Sequence, residues 1–176
     1  MMIWYLFLSC ICVNGMHGYL LWSQRSERKW SISVHAIKSR KDYALYIAGH
    51  TLGGLFYVLF AKEFFVNTHN IQGLFYLSLV TYFFEILQAL LPSKGKYEMP
   101  HSIAALIMWL TFVAAGLISI FTLDITTIAR ILAIIFYIPL LVMLVRAIFN
   151  RNKLYFYQMS MVLLFFAAMF SMVMGS

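Results

Sequence analysis

Four ionisable side chains stand within or at the end of long apolar stretches of the sequence. They are His17, His50, Glu85 and His101. An ionisable side chain at the centre of a membrane helix costs about 2.5–3.5 kcal/mol, so each of the four is a candidate functional residue. Three imidazoles and a carboxylate can hydrogen-bond a polar ligand, relay a proton or hold a metal ion.

Helical spacing places further polar side chains beside these four. Asn14 precedes His17 by three residues, and Gln88 follows Glu85 by three residues. Side chains three apart share one face of a helix, and polar faces in a membrane point into the helix bundle. The sequence therefore predicts one ligand-binding layer, made of His17, His50, Glu85, His101, Asn14 and Gln88.

Two cofactors are compatible with this set of residues. Zinc takes imidazole and carboxylate ligands in a tetrahedral arrangement, which makes four side chains a candidate ligand set: His17, His50, His101 and Glu85. The sequence contains no compact motif such as His-Glu-x-x-His, so these ligands would have to come from four helices. A haem with His17 and His50 as its two axial ligands is the alternative.

Composition determines the environment of these residues. The chain has 176 residues, of which 63% are hydrophobic and 11% are charged, whereas a soluble domain carries about 25% charged residues. Such a composition excludes soluble, disordered and disulfide-stapled proteins. The net charge of +7 is assigned to orientation of the chain in a membrane and not to nucleic-acid binding.

The apolar stretches predict an all-α fold, a polytopic membrane protein built as a six-transmembrane-helix bundle. Each stretch has the roughly 20 residues that cross a hydrocarbon core of about 30 Å. We expect a single transmembrane domain over residues 1–176. Its predicted spans are 3–22, 43–61, 71–91, 102–121, 125–148 and 154–174.

The positions of the cations predict the orientation of the chain. Eleven of the 13 Lys and Arg residues fall in or beside alternate connections between the predicted spans. By the positive-inside rule the loops 23–42, 93–100 and 149–153 are cytoplasmic, and both termini lie outside. The candidate residues then lie in the cytoplasmic half of the bilayer, since His17, His50 and Glu85 are each about 8–10 Å from that boundary at 1.5 Å rise per residue.

Four short runs of sequence carry a resemblance to known proteins. They are Ser31-Ile-Ser-Val-His-Ala, Ala48-Gly-His-Thr-Leu-Gly-Gly, Leu91-Pro-Ser-Lys-Gly-Lys and Pro100-His-Ser-Ile-Ala-Ala. Together they resemble a group of bacterial six-helix integral membrane proteins, similar in layout to the Frag/DRAM/Sfk-type proteins. Ser33, Pro92 and His101 match positions that recur in that group. The resemblance implies a six-helix membrane protein and no particular activity.

Three functions remain open on the sequence. The first is binding or passage of a small polar or lipid-derived ligand through a His/Glu-lined cavity, as in a transporter. The second is a zinc-type intramembrane hydrolase, and the third is a non-catalytic assembly or scaffold protein. Membrane lipids are the expected partners. Gly53 and Gly54 share a helix face with His50. These two glycines permit close approach of a second helix and so also allow a homo-oligomer.

The first predicted loop contains a segment with its own pattern. Among its cations it contains Trp30 and three aliphatic residues, Ile32, Val34 and Ile37. Such a segment can lie along the membrane interface as a short amphipathic element, or be a solvated loop whose cations set the orientation.

Overall fold

The computed structural model describes residues 1–23, 31–150 and 153–176. Within these ranges the regular structure is helical. The α-helices are α1 Met2–Ser23, α2 Ile32–Ala36, α3 Arg40–Ala61, α4 Gln72–Leu90, α5 Glu98–Thr122, α6 Thr127–Phe149 and α7 Leu154–Met174. All of them except α2 are long and apolar enough to cross a membrane. The predicted all-α, six-transmembrane-helix bundle is confirmed.

The outward surface of this bundle is apolar. On α6, more than half of the side-chain surface of Ile128, Ile135 and Ile138 is exposed. Large aliphatic residues exposed along a whole helix are stable in lipid and not in water. The chain is therefore a multi-pass membrane protein.

Helix ends follow local sequence signals. The Ser39 hydroxyl accepts a hydrogen bond from the Asp42 backbone N–H (3.0 Å) and caps the start of α3. Helix α4 ends at Leu90, and Leu91 is extended because the residue before Pro92 is disfavoured in helical conformation. The observed ends of the long helices lie close to those of the predicted spans, with one exception.

The exception is the second span, which was predicted to end at residue 61 and to be followed by a connection over 62–70. That boundary is wrong. The chain continues from α3 into a π-helix, Lys62–Thr68, so the continuous helical segment covers Arg40–Thr68. Phe64 and Phe65 are fully buried there, and the wider π turn lets both rings face the core. Burial of these aromatic rings keeps the chain helical, although the neighbouring charged residues Lys62 and Glu63 indicate the start of a connection.

The long helices pack mainly as three pairs, α1 with α3, α4 with α5, and α6 with α7, and α3 also packs against α4. Glycines allow α3 to approach both of its neighbours. A Cβ at Gly53 would meet Val13 on α1, and a Cβ at Gly54 would overlap the Tyr82 ring on α4. The glycine face that suggested a partner chain therefore contacts helices of the same chain.

The segment for which an interfacial element and a solvated loop were both open packs against the bundle as α2. Ile32 and Ala36 are buried, and the Ile32 backbone N–H donates to Oε1 of Gln158 on α7 at 3.1 Å. The ring of His35 contacts Tyr155 edge to face, with centroids 5.7 Å apart. This short helix thereby contributes to the interior of the protein.

Candidate functional site

A cavity of about 80 Å³ lies between α1, α3, α4, α5 and α7, and α2 contributes Ile32 and Ser33 to its lining. A single buried water needs about 10–15 Å³, so the cavity has room for several waters or for a polar group. Five of the six predicted ligand-binding residues line it, namely His17, His50, Glu85, Gln88 and His101.

His50 and Glu85 form the central contact of the cavity. Nδ1 of His50 lies 2.9 Å from Oε1 of Glu85, and only 8% and 13% of the two side chains are exposed. When the carboxylate is ionised it only accepts hydrogen bonds, and a neutral His50 then carries its proton on Nδ1. The carboxylate thus fixes the orientation and the tautomer of the imidazole.

Gly54 makes room for this pair. It lies on α3 beside the Glu85 carboxylate, and a Cβ at this position would be 2.7 Å from Oε2 of Glu85. Real Cβ atoms essentially never come so close to another heavy atom. The absence of a side chain at Gly54 therefore allows the α4 carboxylate to reach His50 on α3.

The other nitrogen of His50 is buried and has no hydrogen-bond partner among the described residues. In the neutral tautomer protonated at Nδ1, Nε2 presents a lone pair and can accept a hydrogen bond or take a proton. Nδ1 of His17 is also buried without a partner in the described ranges, and the two rings lie edge to face with centroids 5.5 Å apart. A buried polar atom without a partner carries a free-energy cost, which a bound ligand or water would remove.

Gln88 and Tyr46 extend the polar network. The Tyr46 hydroxyl donates to Oε1 of Gln88 at 2.8 Å, and the Tyr46 ring packs on His50 with centroids 4.5 Å apart. Tyr46 thus joins two of the predicted site residues.

His101 is held by the end of α4. Its Nδ1 lies 2.8 Å from the backbone carbonyl oxygens of both Gln88 and Leu91. Carbonyls only accept, so Nδ1–H donates to them and satisfies groups that the end of a helix leaves open. His101 therefore has a structural role at the edge of the cavity.

Asn14 is not among the residues that line the cavity. Its Nδ2 donates to the backbone carbonyl of Cys10 at 3.0 Å, one turn earlier on α1. The lining positions of α1 are Ser9, Val13 and His17, which are spaced by four residues. The prediction that Asn14 belongs to the ligand-binding layer is not supported by its position.

Several lining residues were not predicted from the sequence. Tyr46 lies one helical turn before His50, and this spacing could have placed it on the same helix face as His50. Gln158 is a polar residue within the last span, and the rule for ionisable residues in membranes omits it because it carries no charge. Ser33 reaches the cavity only because α2 packs against the bundle.

The predicted zinc ligand set is not assembled. In the described part of the chain no group of three or more His, Cys, Asp and Glu side chains is placed to hold a metal ion. Nδ1 of His50 contacts Glu85 and Nδ1 of His101 contacts α4 carbonyls, so only Nε2 of each ring could bind a metal ion. The geometry gives no support to the zinc-type hydrolase.

The haem prediction does not fit the geometry either. Axial imidazoles bind the iron from opposite faces of the macrocycle, so the macrocycle must lie between the two rings. The rings of His17 and His50 contact each other edge to face, with centroids 5.5 Å apart. There is no space for a haem between these residues.

Comparison of the whole chain with protein-family models, with curated proteins and with solved structures finds no match. The candidate site is therefore assigned from its own geometry.

Proposed function

We propose that this protein binds or passes a small polar or lipid-derived ligand through the cavity lined by His50 and Glu85. The cavity lies inside a bundle whose outer surface faces lipid, so it is suited to a molecule that reaches it through the membrane. Gln88 and His17 add polar groups around the same space. Scaffold proteins need no such cavity.

The observation that carries the proposal is the state of His50. Its ring is buried, its Nδ1 is fixed by Glu85, and its Nε2 has no partner among the residues that the structure describes. A nitrogen held in one orientation and left without a partner is pre-organised for a hydrogen bond to a ligand.

Nuclear magnetic resonance of the imidazole nitrogens tests this proposal. In purified protein carrying ¹⁵N-histidine, we expect the Nδ1-protonated tautomer at His50. Addition of a polar lipid extract from the expressing cells should shift the Nε2 resonance of His50, because a ligand then contacts that atom. His69, which lies outside the cavity with its ring against Phe64, is the internal control and should not shift. Equal shifts at both histidines, or none, would contradict the proposal.

We also propose that the polar end of the cavity faces the cytoplasm. The loops 23–42, 93–100 and 149–153 are then cytoplasmic and both termini are outside. This orientation follows from the positive-inside rule. Four of the cations on which it depends, Arg25, Arg28, Lys29 and Arg151, lie outside the described residues.

Cysteine labelling on intact cells checks the orientation. In a chain with Cys10 and Cys12 changed to serine, a membrane-impermeant maleimide should label Asn67→Cys and leave Lys96→Cys unlabelled until the cells are opened. Asn67 and Lys96 are both exposed, so access depends on the side of the membrane. The reverse labelling pattern would show that the orientation is inverted.

A further inference from the structure

We propose that the ligand of this cavity is an amphiphile with a primary ammonium head group and a long hydrocarbon chain. The inference rests on the proposed function and names its ligand class. Three properties of the lining carry it: the charge of the cavity, the kind of hydrogen-bonding atoms left open, and the distribution of apolar side chains.

The charge of the lining favours a cation. Among the lining residues in the described ranges, Glu85 is the sole acid and there is no Lys or Arg. A phosphate or carboxylate head group would place a second negative charge beside Glu85, with no compensating Lys or Arg among the described lining residues, at low dielectric. A cationic head group instead supplies the positive charge that no Lys or Arg among those residues provides.

The open hydrogen-bonding atoms are acceptors. Nδ1 of His50 lies 2.9 Å from Oε1 of Glu85, so with an ionised carboxylate and a neutral imidazole Nε2 presents a lone pair, and the second carboxylate oxygen of Glu85 can also accept. A primary ammonium has three N–H donors and fits such a set. A hydroxyl brings one donor and no charge, and a trimethylammonium group brings charge without N–H donors.

Aromatic rings near the pair suit the same head group. Tyr46 packs on His50, and Tyr57 and Trp109 also line the cavity. A cation over the face of an aromatic ring is attracted by the ring quadrupole, and the attraction increases when the site is dry. These rings therefore favour a cation over a neutral head group of similar size.

The lining is divided between polar and apolar helices. The polar residues come mainly from α3 and α4, whereas α5 and α7 contribute a set of large apolar side chains: Met108, Trp109, Phe112, Val162 and Phe166. A volume of about 80 Å³ accommodates an ammonium group and the first methylenes. The apolar side chains of α5 and α7 provide contacts for the chain that follows.

Fluorescence quenching of Trp109 tests the inference. A variant with Trp4, Trp22 and Trp30 replaced by phenylalanine retains Trp109 as its single tryptophan. It is placed in lipid nanodiscs with amphiphiles that carry bromine on the chain and differ only in the head group: primary amine, trimethylammonium, alcohol, carboxylate and phosphate. All the amphiphiles carry the same chain, so the apolar contribution to binding is the same for each. Differences in the quenching of Trp109 at equal mole fraction in the bilayer therefore report the effect of the head group.

The primary amine should quench Trp109 saturably, with a half-maximal mole fraction at least about tenfold below that of the other head groups, as expected for a charge-assisted hydrogen bond. Glu85→Gln should remove most of this preference. Glu98→Gln, which changes an exposed carboxylate outside the cavity, should leave it unchanged. The comparison of head groups on the protein with native Glu85 does not depend on whether the variants fold.

The other outcomes separate the two proposals. One outcome is saturable, Glu85-dependent binding in which the alcohol, carboxylate, phosphate or trimethylammonium compound binds as tightly as the primary amine or more tightly. That outcome overturns the ammonium inference and leaves the proposed function standing. A short-chain, water-soluble primary amine that displaces the long-chain amine equally well overturns the amphiphile class. Saturable quenching by none of the compounds overturns both proposals.

Discussion

Replacing His50 with phenylalanine is expected to lower the free energy of unfolding by about 3 kcal/mol. Phenylalanine preserves the ring and its contact with Tyr46 but removes the donor to Glu85. Breaking a buried ion pair or charged hydrogen bond typically costs about 3–5 kcal/mol, because the remaining charge is left without a partner. We place this cost at the lower end, because the carboxylate faces a cavity that can hold water.

A double variant separates this cause from a general loss of packing. Adding Glu85→Leu to His50→Phe should recover most of the lost stability, since replacing both partners by apolar groups is often nearly neutral. Reversible unfolding in mixed detergent micelles measures the free energy of unfolding of His50→Phe, of the double variant and of His69→Phe. His69→Phe is the matched control and should change stability by less than about 1 kcal/mol. A double variant as unstable as His50→Phe would show that the pair does not account for the loss.

The transmembrane architecture could be predicted from the sequence because lipid imposes a simple rule. Backbone polar groups must be satisfied within each spanning segment, so apolar stretches of sufficient length become helices. The rule does not determine where a helix continues past the apolar stretch. Lys62 and Glu63 read as the start of a connection, yet Phe64 and Phe65 are buried and keep the chain helical to Thr68.

The residue types of the site could be predicted, but not their mutual geometry. Ionisable residues in membrane helices face the bundle interior because lipid excludes them, and this rule identified His17, His50 and Glu85. It could not show that Glu85 would reach His50 over Gly54. Both cofactor hypotheses depended on distances and ring orientations that arise only from packing.

Tertiary contacts also determine which polar residues are accessible to a ligand. Asn14 shares a helix face with His17 by spacing, but its amide donates to the Cys10 carbonyl on the same helix. Ser33 is far from the spans in the predicted topology, yet α2 brings it into the cavity lining. Local hydrogen bonding and loop packing thus exclude one predicted residue and add one that was not predicted.

Ligand occupancy in the Glu85→Gln variant should fall by at least about tenfold. Glutamine keeps the size of the side chain and one oxygen acceptor but removes the negative charge. Hydrogen bonds to charged groups contribute about 1.5–3 kcal/mol, and each 1.4 kcal/mol is a factor of ten in affinity. Glu98→Gln removes the same charge from an exposed position outside the cavity and should leave occupancy unchanged.

Native mass spectrometry of the intact protein tests the central claim most directly. The wild-type chain, released from detergent supplemented with a polar lipid extract, should carry one bound molecule per chain. That adduct should be nearly absent in Glu85→Gln and retained in Glu98→Gln. Wild-type protein observed only at its ligand-free mass, or equal adducts in wild type and Glu85→Gln, would contradict the assignment of this cavity as a ligand-binding site.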